Sequence, residues 1–220
     1  MWIIAASLLS IQVGRTAPLG PERVPSAFRK HRVDGAVKVG TLGLAGDEQA
    51  DLTVHGGPEK AVYAYGAGHY AAWSEEFPKH REQFVAGGFG ENLTVAGMLE
   101  SDLCVGDVHR IGSALLQVCQ PRQPCFKLAL VFDDSRMVKA MVRSGRAGWY
   151  YRVLEDGEIQ AGDEIRLEER PHPDFSFERL IHIVNFGEAS PDELRAMAGM
   201  TALASRLRAR ASSALSGLQP

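Results

Sequence analysis

Glycine and proline cut the first 170 residues into pieces of strand length, and this punctuation limits the fold more than any other feature. "GAVKVGTLGLAGDEQ" reads as a strand followed by a Gly-Asp turn, and "KAVYAY" alternates with a period of two. "ENLTV", "GDVHRIG", "ALLQVCQ" and "GDEIRLEER" are further strand-like runs. Short strands separated by turn signals predict a β-barrel or sandwich, mainly β with some α. The opening "MWIIAASLLSIQVG" lacks a basic start and is interrupted by Ser7 and Ser10, so it reads as a first strand rather than a signal peptide.

Two helices interrupt the strands. "HYAAWSEEF" sets Tyr70, Trp73 and Phe77 at helical spacing. "DDSRMVKAMVRSG" offers Asp134 or Ser135 as a cap, places Val138, Met141 and Val142 on one face, and stops at Gly145. "RPHPDF" then reads as a linker, and only helical signals follow it. The division predicted is a barrel domain over 1–170 and a three-helix extension over 171–220. Phe177, Leu180, Ile181 and Val184 form the stripe of its first helix. "SPDEL" starts the second with Ser190 as N-cap, Pro191 at the first position and Glu193 completing a capping box. Gly199 is its expected C-cap, and Thr201 the expected start of the third helix. Helices this short bury little alone, so the extension should dock on the first domain or on a partner.

Bulk properties narrow the partners. Apolar residues make up 45% and charged residues 23%, a globular balance. A formal charge of -3 provides no basic excess for a nucleic-acid partner. No apolar stretch reaches the roughly 18–20 residues of a membrane span. Cys104, Cys119 and Cys125 are odd in number and form no CxxC or zinc pattern. Reduced thiols in a cytoplasmic protein are therefore expected, without a four-cysteine iron–sulfur cluster.

Two stretches carry the candidate chemistry. In "HGGPEK", Gly56 and Gly57 could let backbone amides converge on an anion, with charge from Lys60 and a hydrogen bond from His55. An ordinary glycine-rich hairpin with a solvated Glu–Lys pair explains the same residues. In "QPRQPCFKL", Pro124 fits the first position of a helix and Cys125 its first turn, between Arg122 and Lys127. Such a thiol should ionise readily and act as a nucleophile or soft-metal ligand, although free cysteines are more often buried and inert. Cys104 and Cys119 fit that inert reading. Gly90, Glu91 and Asn92 in "FGENL" form a turn, either structural or lining a pocket. The other histidines have no ligand-like spacing, and "RLRAR" reads as a solvated helix face.

Taken together, "GLAGDEQADLTVHGGPEKAVYAY", "FGENL", "GDVHRIG" and "QPRQPCFKL" resemble the MOSC domain (molybdenum cofactor sulfurase C-terminal domain). The trailing helices are similar to the extension of the YiiM-type branch. The resemblance implies a MOSC-type β-barrel with peripheral helices. It also implies a molybdenum cofactor held by a pterin dithiolene and one protein cysteine, which maps to Cys125. His55 and Lys60 match the HGG turn and take catalytic roles by that resemblance. Gly56, Gly57, Lys60, Asn92, Arg122 and Lys127 become cofactor-binding residues. Pyridoxal phosphate binding enters only as a family-level association. The implied activity is reduction of N-hydroxylated bases or related N-oxygenated compounds. With no flavin or NAD fingerprint and no cluster ligands, electrons should come from a separate reductase, and the chain should be a monomer or homodimer. The alternative is a non-catalytic carrier of the cofactor or of persulfide sulfur.

Overall fold

The computed structural model describes residues 6–51 and 56–217. Its strands are β1 (Ser7–Val13), β2 (Ala17–Leu19), β3 (Val24–Ser26), β4 (His31–Val33), β5 (Val37–Gly40), β6 (Gly43–Leu44), β7 (Val62–Gly66), β8 (Leu93–Ala96), β9 (Val108–Ile111), β10 (Ala114–Pro121), β11 (Trp149–Glu155), β12 (Gly157–Ile159) and β13 (Ile165–Glu169). The helices are α1 (His69–Glu76), α2 (Phe126–Phe132), α3 (Arg136–Ser144), α4 (Phe177–Phe186), α5 (Pro191–Gly199) and α6 (Ser205–Ser216). Among the described residues, no helix is long and apolar enough to cross a membrane.

The main sheet runs β13-β9-β10-β11-β7-β8-β1-β4, with β12-β5-β6 and β2-β3 as small additions. All its pairs are antiparallel except β7 with β8. The sheet curls until β1 meets the approach to β13. Leu8 N–H donates to Asp163 O at 2.9 Å, Gly162 N–H to Leu8 O at 2.7 Å and Ile165 N–H to Ala6 O at 2.8 Å. These bonds flank a single Ser7–Glu164 bridge, so the barrel is joined by a seam rather than a full ladder.

"KAVYAY" alternates, yet every residue of β7 is buried. Val62 and Ala64 face the barrel core. Tyr63 and Tyr65 face a second core with Trp73, Phe89, Leu128, Phe132 and Met141. The alternation marks two apolar environments rather than one core and water. On α3 the buried face is Met137, Ala140 and Met141, with Val138 and Val142 at its margin. Asp134 accepts the Arg136 N–H at 3.0 Å, and Gly145 ends the helix at φ 71°.

The C-terminal helices share one apolar core with the sheet, through Phe177, Leu180, Met197, Leu207 and Ala211. Ser190 accepts the Glu193 N–H at 3.2 Å while the Ser190 N–H donates to Glu193 at 2.7 Å, the expected capping box. Two expected boundaries move. Gly199 remains helical, with the cap at Met200, and α6 begins at Ser205 instead of Thr201. Before α6, Ala204 N–H donates to Cys119 O of β10 at 3.0 Å. The chain is thus tied to the sheet over 201–204, and its helix cap comes from elsewhere in the fold.

Candidate functional site

The stretch after β10 is aimed by a bulge. Val118 pairs with Tyr151 and Gln120 with Tyr150, so Cys119 is the extra residue. Arg122 follows, its N–H donating to Gly148 O at 3.3 Å. Its guanidinium lies 5.4 Å from the ring centre of Phe28 and 5.2 Å from that of Tyr63. Nη1 approaches Met141 Sδ at 3.4 Å. Arg122 is only 7% exposed, and among the described residues no carboxylate forms an ion pair with it. A buried cation held by aromatic faces without an opposite charge is costly unless an anion joins it.

Arg122 lines a cavity of about 100 Å³ together with Lys60, Asn92, Cys125 and Lys127. Five of the eight candidate residues therefore share one site. Cys125 is half-buried in an extended conformation (φ −118°, ψ 173°) and occupies the N-cap of α2, one position earlier than the expected first turn. The reason is local: α2 begins only at Phe126, and Pro124 stays outside it. Lys127 donates Nζ to Pro25 O at 2.8 Å, which anchors the ammonium at the cavity wall. Burial lowers the Lys60 pKa, and the positive charge of Arg206 on α6 lowers it further, while Cys119, Cys125 and Glu59 act in the opposite direction.

Asn92 serves as a brace. Its Oδ1 accepts Tyr63 N–H at 3.1 Å, and its Nδ2 donates to Gln12 O at 3.2 Å and to Asp47 at 2.8 Å. Neighbouring Glu91 is fully buried and holds its turn, accepting Gly87 N–H at 2.8 Å, Phe89 N–H at 3.0 Å and the hydroxyls of Tyr70 and Thr94. Gly57 adopts φ 90°, which suits glycine, and opens a short 3₁₀ turn over Pro58–Lys60. Of that turn, Lys60 lines the cavity, while Gly56 and Gly57 are not among its lining residues. His55 lies outside the described residues.

Four contributors escaped the sequence reading. Lys30 lines the same cavity but is neutralised by Asp47, which also accepts Gly14 N–H at 2.7 Å. Nothing in the spacing of those two residues announces the pair. Tyr63 and Tyr150 also line the cavity, with ring centres 5.2 Å apart. For Tyr63 a clue existed: it shares with Tyr65 the polar-tipped face of β7. Cys104 and Cys119 are buried, and burial pushes the Cys119 thiol up to about 12. Among the described residues no three His, Cys, Asp or Glu side chains cluster to hold a metal ion. The described residues offer one cysteine beside Lys60, Arg122 and Lys127, a lining that fits a metal carried by an anionic group with ligands of its own.

Comparison with known proteins agrees with this architecture. Crystalline YiiM from Geobacillus stearothermophilus superposes with a TM-score of 0.80 at 33% identity, over 96% of this chain and 99% of that one. Protein YiiM of Escherichia coli (strain K12) is 47% identical over 150 residues, 68% of this chain and 67% of that protein. A protein named Reductase from Gibberella moniliformis (strain M3125 / FGSC 7600) is 42% identical over 172 residues, 77% of this chain and 30% of its own length. The MOSC domain family model matches residues 51–166, which hold Lys60, Asn92, Arg122, Cys125 and Lys127 but neither Lys30 nor Arg206. The chain belongs to the MOSC domain family, in its YiiM-like branch.

Proposed function

We propose that the chain is a molybdenum-cofactor-dependent reductase of N-hydroxylated bases or related N-oxygenated compounds. The observation that carries this reading is the pairing, in one cavity, of Cys125 with a buried Arg122 that forms no carboxylate ion pair among the described residues. Arg122, Lys127 and Lys60 would bind the cofactor phosphate, the guanidinium as a fork and the lysines as point charges. Cys125 would hold the metal through its thiolate, from an extended residue at the amino end of α2. When bound, the cofactor supplies the two-electron reducing chemistry. Lys60 Nζ, its pKa lowered chiefly by burial, is suited to deliver a proton to the departing oxygen. His55 joins this proposal through its place in the same turn. Asn92 keeps Asp47 and Tyr63 in position, so its effect on binding is indirect.

Electrons would come from a separate reductase. In support, the matched segment is less than a third of the relative named Reductase, whose remaining length lies outside the match. The same cations suit the phosphate of pyridoxal phosphate, the other group associated with the family. The test is metal analysis of purified protein, followed by turnover of an N-hydroxylated base with an artificial electron donor. Near-stoichiometric molybdenum with turnover, both lost in Cys125→Ser, supports the reductase. Stoichiometric molybdenum without turnover favours a cofactor carrier, and absence of molybdenum after cofactor loading refutes the reductase and the cofactor carrier and leaves the persulfide carrier.

A further inference from the structure

Phe28 lines the cavity from the amino-terminal part of the chain, two residues beyond β3 and outside the residues 51–166 that the family model matches. Its ring centre lies 5.4 Å from the Arg122 guanidinium, which also stands 5.2 Å from the ring centre of Tyr63 on β7. Both distances fall within the roughly 6 Å at which a ring face attracts a cation. The segment that carries Phe28 is fixed from two sides. Lys127 of α2 donates Nζ to Pro25 O at 2.8 Å, and Phe28 N–H donates to Ser26 Oγ at 3.1 Å. On the other side lies Gly90, at φ 77°, where an added Cβ would meet the Phe28 ring at 3.1 Å. The glycine of "FGENL" therefore leaves the room in which the ring sits, and Gly90 itself lines the cavity.

We infer that Phe28 is a positioning residue for Arg122: its ring face, together with Tyr63, holds the guanidinium in place for an incoming oxyanion. This rests on the reading that the cavity takes an anion. The same cavity shows the other way to hold a cation, since Asp47 forms an ion pair with Lys30 there. A carboxylate cancels the charge that it holds, whereas a ring face attracts a cation and leaves its charge in place. Arg122 is 7% exposed, so water does little to steady it. A long side chain held in its binding position before the ligand arrives loses less freedom on binding, and that difference appears as affinity. A ring that merely filled space would give the same affinity whatever the electron density of its face. A ring acting through Arg122 weakens binding as that density is withdrawn.

The experiment titrates sulfate into full-length Cys125→Ser protein by calorimetry at pH 7, a background that lacks the thiol assigned to the metal and leaves the cavity to the probe. Phe28→Leu should weaken sulfate binding by about three-fold or more, the scale of one partly desolvated cation–ring contact. Phe28→Tyr keeps a ring face and should stay within about two-fold of the parent. The deciding measurement replaces Phe28 by phenylalanine carrying one, two and three ring fluorines, which nearly preserves its shape while draining its face. Sulfate affinity should fall stepwise along that series, by about three-fold at its end. These replacements also keep the test open if Phe28→Leu fails to fold. A flat or rising fluorine series, or a Phe28→Leu variant that binds as the parent does, overturns the inference while leaving the anion site standing. A parent that binds no sulfate overturns the anion reading and the inference with it.

Discussion

The Tyr63 ring lies under the Arg122 guanidinium at 5.2 Å, while its hydroxyl donates to Ala147 O at 2.8 Å. One side chain thereby supports the site cation and pins the loop before β11. Arg122 is desolvated, and among the described residues no carboxylate forms an ion pair with it. Arg122→Met should keep or raise the melting temperature, since apolar replacement of buried charges is often neutral or stabilising by about 1–4 kcal/mol. The same variant should bind sulfate at least about ten-fold more weakly, the loss of one charge-assisted contact. Paired thermal melts and titrations check this. A melting temperature lowered by several degrees would make Arg122 a structural residue.

Gly148 cannot be replaced cheaply. Its φ is 69°, and an added Cβ would meet Ala64 O at 2.4 Å, inside the β7–β11 pairing. Its N–H also donates to buried Glu100 at 2.6 Å. Gly148→Ala should cost at least about 2 kcal/mol in urea unfolding, the range for combined strain and lost packing. A loss under half that would show that the loop yields.

His109 makes acid a specific stress. It is buried, bonded to the Tyr151 hydroxyl at 2.7 Å, and burial pulls its pKa down from 6.5 to about 4. The folded state therefore prefers neutral imidazole. Its stability contribution is complete above pH 6.5 and is lost as pH falls through about 4, on the order of 3 kcal/mol by linkage. Urea unfolding at pH 7 and pH 4 should show the drop. His109→Gln should be less stable at pH 7 but flatter across that interval, and an equally steep profile in the variant would assign the acid sensitivity elsewhere.

Thiol alkylation should separate the three cysteines. Cys125 is half-buried at the cavity, whereas Cys104 and Cys119 are 7% and 0% exposed. Mass spectrometry of native protein should find one fast modification, at Cys125, with the other two appearing only on unfolding. A sulfate that fills the cavity should slow it. Early modification of Cys119 would contradict the packing of β10.

The strand punctuation, the capping box at Ser190 and the cysteine beside Arg122 were legible because each rests on neighbours within a few positions. Lys30 with Asp47, and Glu59 with Ser205, were not: they lie 17 and 146 residues apart, and only the fold joins them. The start of α6 shows the same limit. Thr201 is a good local cap, yet the carboxylate of Glu59 stabilises a helix that begins at Ser205 instead. β7 was recognisable as a strand, but its period of two could not reveal that both faces are covered.

The seam between β1 and the approach to β13 has a consequence for how the molecule breathes. Three amides, Leu8, Gly162 and Ile165, close the sheet there, while β10 and β11 share a long ladder from Leu115 to Pro121 with two bulges in it. Opening the seam breaks few bonds and leaves the other strand pairs intact. Deuterium should therefore enter at Leu8, Gly162 and Ile165 well before it reaches Val118 or Tyr151, through fluctuations far smaller than global unfolding. The seam can then open and reclose at Leu8 while β1 stays paired with β8, so Gln12 keeps its hold on Asn92 at the cavity wall.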